Sequence, residues 1–209
     1  MPPAAHPSPE HAPVPRRRRG RPRGGASGAR ERIVAAAVDE FGERGYDAAT
    51  MRGIAARAGV DSALVHHYFG TKADLFTETV GVPMRPDVDI PALLDAPVDA
   101  LGERIVRYVL EAWERPEVRR PGVVLVRTTI GNRLTTPLLA GFLARELLER
   151  IASRLDAPDA ALRASLVASQ VAGLIVTRYV LKLPAMAEAS VDDLVAWVAP
   201  NVQRYLVGD

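Results

Sequence analysis

Apolar residues recur at helical spacing along most of this chain. Ile33, Ala37 and Phe41 form one row, with Val34 and Val38 beside it, and predict a helix over residues 29–43. Gly42 and Gly45 loosen its end. Met51, Ile54, Ala55 and Ala58 then stand at i, i+3, i+4 and i+7, so a short helix follows. Thr50 is placed to cap its start and Gly59 to end it in a left-handed turn. Asp61 or Ser62 caps a second short helix whose Val65 and Phe69 point inward. Gly70 turns the chain again, and Thr71 caps a further helix that opens with Lys72. Residues 81–97 hold four prolines and three aspartates and read as a linker. Beyond them the pattern predicts helices over 98–114, 118–130, 137–154, 158–183 and 191–206. Pro184 ends the fourth of these, and Ser190 with Asp193 starts the last in a capping-box variant. No strand alternation, repeat or glycine-rich phosphate loop interrupts the series, so the expected fold is all-α.

The helix after Asp61 has an unusual outer surface. Ala63 and His67, flanked by Leu64 and His66, make a small, aromatic and hydrogen-bonding face with no acidic residue. Such a face suits a DNA groove better than water. Two short helices joined at Gly59 have helix-turn-helix spacing, in which the second helix enters the major groove. Lys72, in the first turn of its helix, is unfavourable for the helix dipole, and a nearby phosphate would offset that cost.

Phe41-Gly42, Gly45-Tyr46, Thr50, Ile54-Ala55, Ala58-Gly59-Val60, Tyr68-Phe69 and Lys72 with Leu75 together resemble the tetracycline-repressor (TetR) family of bacterial regulators. The resemblance is strong over residues 30–80 and rests elsewhere on length and helical pattern. It implies four parts: a basic arm over 1–28, a three-helix DNA-binding head over 29–80, a linker over 81–97, and a helical regulatory and dimerisation domain over 98–209. It also implies a homodimer joined by its last two helices, a double-stranded palindromic operator, and a small, partly apolar organic effector. The DNA-contacting set carried over is Thr50, Arg52, Ser62, Ala63, Leu64, His66, His67, Tyr68 and Lys72. His66 departs from the family, which usually has Tyr there.

Charge adds a second DNA element. The net charge is +2, but residues 1–30 carry seven arginines against one glutamate, and the rest of the chain is mildly acidic. The run Arg16–Arg23 reads as an arm, and Arg19-Gly20-Arg21-Pro22 resembles the core of an AT-hook. Arg19 and Arg21 suit the narrow, electronegative minor groove.

The remaining chemistry is sparse. Cysteine is absent, which excludes disulfides, thiolate metal sites and a cysteine nucleophile. No unbroken apolar run reaches the ~18 residues of a membrane span, and the N-terminus lacks the apolar core of a signal peptide. The expected location is the cytoplasm, on the nucleoid, with no membrane partner. His66 and His67 diverge on a helix, as do Asp192 and Asp193, and no metal-binding or nucleophile-elbow spacing occurs. No enzyme activity, cofactor or metal is expected. Within the C-terminal helices, Tyr108, Trp113, Arg127, Asn132, Arg133 and Gln170 are the polar residues available to line an effector cavity. Ser165, Ala168, Ser169, Ala172, Gly173 and Thr177 give the long helix a small-residue face on which a partner helix can pack closely. The alternative function is a constitutive or architectural DNA-binding protein that uses the arm and no effector.

Overall fold

The computed structural model describes residues 27–133 and 135–208. Arg19, Arg21 and nearly all of the expected arm lie outside the described residues. The described chain consists of helices joined by turns and irregular segments, with no strand among the described residues.

The head holds α1 (Ser27–Ala48), α2 (Met51–Ala58), α3 (Ser62–Phe69) and α4 (Lys72–Thr79). Ile33, Ala37 and Phe41 are buried as the pattern requires, whereas Val38 faces outward, 51% exposed. Gly45 breaks the path of α1 with φ 78 and ψ 170, and the turn after it sends Tyr46 into the core. Each later junction has a local cap. The Thr50 hydroxyl accepts the Gly53 N–H at 3.0 Å, and Gly59 ends α2 with φ 66. Asp61, the residue that caps α3, accepts the Ala63 N–H at 2.7 Å. Thr71 and Asp74 form a reciprocal capping box on α4.

Residues 81–97 correct the linker reading. They contain α5 (Pro86–Leu94), whose Ile90, Leu93 and Leu94 join the core of the C-terminal body. Pro86 occupies the first helical turn, where its missing N–H goes unneeded, and Asp87 and Asp89 favour that positive end. The same prolines and aspartates that suggest a break are therefore starting signals for a helix.

The body continues through a 3₁₀ turn (Val98–Ala100), α6 (Leu101–Glu114), α7 (Pro116–Thr129), α8 (Thr135–Leu143) and α9 (Glu149–Ala152). It ends with α10 (Ala160–Ile175), α11 (Pro184–Glu188) and α12 (Val191–Val207). Two expected single helices differ in detail. A π-helical segment, Ala144–Leu148, separates α8 from α9, and another, Val176–Val180, extends α10. Pro184 starts α11 rather than only stopping its predecessor. Helices α6 and α12 approach closely: a Cβ on Gly102 would lie 2.7 Å from the Gln203 backbone nitrogen. There the Gln203 side chain accepts the Gly102 N–H and donates to Val98 O, each at 2.8 Å.

Residues 160–180 are long and apolar enough, by length and composition alone, to cross a membrane, although no unbroken apolar run spans them. Only 17% of the most apolar window in that helix is buried in this chain. Serines, Gln170 and small residues broke the run in the sequence without making the helix polar on average.

Candidate nucleic-acid interface

The outer surface of the head is set by what its inner surface locks. Val65 and Phe69 are buried, which fixes the roll of α3 and turns Ala63, His66 and His67 outward. Ser62, Leu64 and Tyr68 are half-buried on its flanks. Thr50 and Arg52 are exposed at the start of α2, where backbone N–H groups point outward. The structure thus brings Ser62, Ala63, Leu64, His66, His67 and Tyr68 together on α3 and leaves Thr50 and Arg52 at the neighbouring helix start.

Two local details give α3 a rigid end. Thr71 N–H bonds Phe69 O at 2.8 Å, closing a three-residue turn about Gly70, whose φ of 68 suits glycine. Within it, Gly70 N–H donates to His66 O at 2.8 Å while His66 Nδ1 sits 2.9 Å from Gly70 O. His67 lies beside Tyr68, with ring centroids 5.6 Å apart.

Lys72 is placed differently from its sequence reading. Its ammonium donates to Tyr46 O at 2.9 Å, Ala49 O at 3.3 Å and Asp47 O at 3.4 Å, and lies 4.5 Å from the Tyr46 ring centroid. Burial lowers its pKa. The lysine therefore neutralises the carbonyl-rich end of α1, which offsets its poor position at the start of α4.

Sequence reasoning missed the lock between α1 and α2. Glu40 is buried, 3% exposed, and pairs with Arg44 at 3.2 Å and Arg57 at 3.4 Å. Arg57 also pairs with Glu43, whose carboxyl it holds below the usual range. Gly53 makes room: a Cβ there would meet Glu40 Oε1 at 2.3 Å. The available signals were an acid one residue before Phe41 on the inner side of α1 and a glycine inside α2.

The head is also bound to the body. Phe142 of α8 enters the aromatic cluster, 4.8 Å from Phe76 and 5.4 Å from Tyr46 between centroids. The Tyr46 hydroxyl donates to Glu146 Oε1 at 2.7 Å, in the π-helical segment. Burial, then this hydrogen bond, raises the Tyr46 pKa, so the phenol stays neutral.

The expected effector residues do not gather at one opening. Trp113 packs on Tyr179, with centroids 5.3 Å apart, and against Gly122. Arg127 donates to Val180 O at 3.2 Å, and Asn132 accepts the Thr135 N–H at 3.2 Å. Tyr108 and Gln170 are half-buried and Arg133 is exposed. Two open grooves, of about 450 and 510 Å³, are lined instead by Pro91, Leu94 and Arg154, and by Glu103, Arg107, Ala196 and Pro200. A polar knot unseen in the sequence lies deeper. Arg178, 8% exposed, donates to Glu114 Oε1 at 2.8 Å and to the carbonyls of Met186 and Ala189. Among the described residues, no group of three or more acidic, histidine or cysteine residues is placed to hold a metal ion.

Comparison with known proteins matches both halves of the chain. Residues 33–79 fit the profile of bacterial regulatory proteins of the tetR family, and residues 99–206 that of the tetracyclin repressor-like C-terminal domain. The HTH-type transcriptional regulator BetI of Agrobacterium fabrum is 47% identical over 51 residues, 24% of this chain and 25% of that protein. The chain thus matches about a quarter of the length of that curated relative. A TetR-family regulator from Streptomyces coelicolor A3 is 36% identical, with 90% of this chain and 98% of that chain covered and a TM-score of 0.49. NalD, the secondary repressor of the MexAB-OprM multidrug efflux pump in Pseudomonas aeruginosa, is 21% identical. Its match covers 87% of this chain and 97% of that chain, with a TM-score of 0.44.

Proposed function

Because the chain belongs to the tetR family of bacterial regulatory proteins, we propose that it is a ligand-responsive transcriptional repressor. It acts in the cytoplasm, on the nucleoid, as a homodimer on a palindromic operator. A small, partly apolar organic molecule releases it. The observation that carries this reading is the acid-free outer face of α3, held at fixed roll by Val65 and Phe69 between two capped turns. Ser62, Ala63, Leu64 and His67 meet base edges, and Thr50, Arg52, Tyr68 and the start of α4 at Lys72 lie toward the backbone. Arg19 and Arg21 extend the contact into the adjacent minor groove.

Dimerisation is supported by the outward face of α10. Leu162, Ser165, Ser169, Ala172 and Gly173 are exposed at helical spacing, and Trp197 on α12 is 80% exposed. A second copy covering these faces buries the apolar surface that one chain leaves open. The effector binds within the helical body, where Tyr108 and Gln170 are half-buried. Its signal reaches the head through Phe142 and the Tyr46–Glu146 bond.

Sequencing genomic fragments bound by the full-length protein tests the DNA half: an enriched inverted repeat is expected, and no enriched sequence contradicts it. Deleting residues 1–25 then lowers the log–log salt slope by about 0.9 for every DNA phosphate that the arm neutralises. A metabolite screen for thermal stabilisation tests the ligand half. Tight operator binding that no metabolite weakens would place the chain in the constitutive DNA-binding class instead.

A further inference from the structure

His66 is held by a hydrogen bond whose polarity is forced. Its Nδ1 lies 2.9 Å from Gly70 O, and a carbonyl oxygen only accepts, so Nδ1 carries the hydrogen. Neutral imidazole has one N–H. The other ring nitrogen, Nε2, is then a bare acceptor. The ring is exposed on the outward side of α3, and both of its supports are fixed. The Gly70 carbonyl is aimed by the closed turn from Phe69 to Thr71, and the roll of α3 by buried Val65 and Phe69. His67 has no comparable restraint from the turn.

In the major groove, hydrogen-bond donors are the N6 amino group of adenine and the N4 amino group of cytosine. Guanine N7 and O6 and thymine O4 are acceptors and would oppose a bare Nε2. We propose that His66 is a specificity-determining residue that reads an exocyclic amino group, of adenine or cytosine, in each half-site. This rests on α3 being the groove-entering helix. The turn at Gly70 supplies the selectivity indirectly, since it decides which nitrogen of His66 faces the base.

The test uses the full-length protein. Selection from random DNA with wild type and His66→Ala locates the base pair whose preference His66 sets. On the selected operator, that base is replaced by its analogue lacking the amino group, purine for adenine or 2-pyrimidinone for cytosine. Wild type is expected to lose about tenfold in affinity, and His66→Ala no more than about twofold. Equal losses in the two proteins, or no loss in wild type when the amino group of that base pair is removed, overturn the inference and leave the regulator reading intact. If wild type enriches no sequence, the regulator reading fails and the inference with it. A second measurement needs no DNA. Two-bond nitrogen-15 correlation spectra, taken where the ring is neutral and assigned by the signal that disappears in His66→Gln, should show hydrogen on Nδ1. Hydrogen on Nε2 overturns the proposal.

Discussion

The head and the body are both helical, yet they are built by different means. Between α1 and α4 every junction is closed by a residue within three positions of it: Thr50 on Gly53, Asp61 on Ala63, Thr71 on Asp74. The body depends on partners far apart in sequence, such as Gln203 with Gly102 and Val98, and Arg178 with Glu114. The head buries the row Ile33, Ala37 and Phe41, though not Val38 beside it, while α10 and α12 leave Leu162 60% and Trp197 80% exposed. The head therefore closes its surface within one chain, whereas α10 and α12 keep an apolar face open. The first is what a rigid reading surface requires. The second is what the proposed dimer interface requires.

The sharpest way to break this contrast is to cut where the two regions meet. Phe142 is 5% exposed and belongs by packing to the core of the head, though it sits on α8. Phe142→Ala should cost about 3–5 kcal/mol, the usual loss for a buried phenylalanine. Chemical denaturation followed by a signal in the head measures it. An unchanged head transition would mean that the head is complete without α8.

Two glycines separate folding from assembly. Gly102 has no room for a side chain beside the Gln203 backbone, whereas a Cβ on Gly173 meets nothing within 4 Å. Gly102→Ala should destabilise folding by about 1–3 kcal/mol through overpacking. Gly173→Leu should leave the single-chain fold intact and weaken dimerisation by about 1–3 kcal/mol. Denaturation and sedimentation on both variants show whether the effects divide this way. A Gly173→Leu protein as dimeric as wild type would remove α10 from the interface.

Tyr46→Phe is a gentler cut at the junction. It deletes the donor to Glu146 but leaves the ring in place, and Glu146 keeps Arg150 at 2.9 Å. A loss of about 1.5–3 kcal/mol is expected, the net value of a hydrogen bond to a charged group. No loss would mean that solvent replaces the phenol at no cost.

The smallest effect concerns acid. Arg178, hydrogen-bonded to Glu114, holds that carboxyl below its ordinary pKa, with a further contribution from Tyr179. The carboxylate is therefore favoured in the folded state. Its contribution is fully present above the unfolded value of about 4.3 and is lost as pH falls through the lower folded value. Burial pushes Tyr179 up to about 12, so the phenol stays protonated throughout that window. Glu114→Gln should flatten the acid limb of the stability profile, measured by denaturant titration between about pH 5 and 3. An unchanged limb would show that other carboxylates govern it.

These contrasts explain what could be read from the sequence. The head was legible because its signals are local. Thr50, Gly59, Asp61 and Thr71 announce their roles within a few residues, and Val65 and Phe69 reveal which side of α3 is left over. Glu40 was not legible, since its burial depends on Arg57 and on the gap at Gly53, neither adjacent to it. Lys72 was legible as a misplaced cation, but its carbonyl partners come from the far end of α1. In the body, helical spacing located the helices yet not their π-helical segments, which place Glu146 and Arg178 against distant partners. The helix at Pro86 was hidden because proline both ends helices and begins them.

In the proposed function two copies, joined through α10 and α12, present two α3 helices to one symmetric site. Sedimentation of the full-length protein bound to its selected operator tests this most directly. Two protomers per inverted repeat are expected, with the two half-sites about one helical turn or a multiple of it apart. A complex of one protomer per operator, on a site without two-fold symmetry, would contradict it.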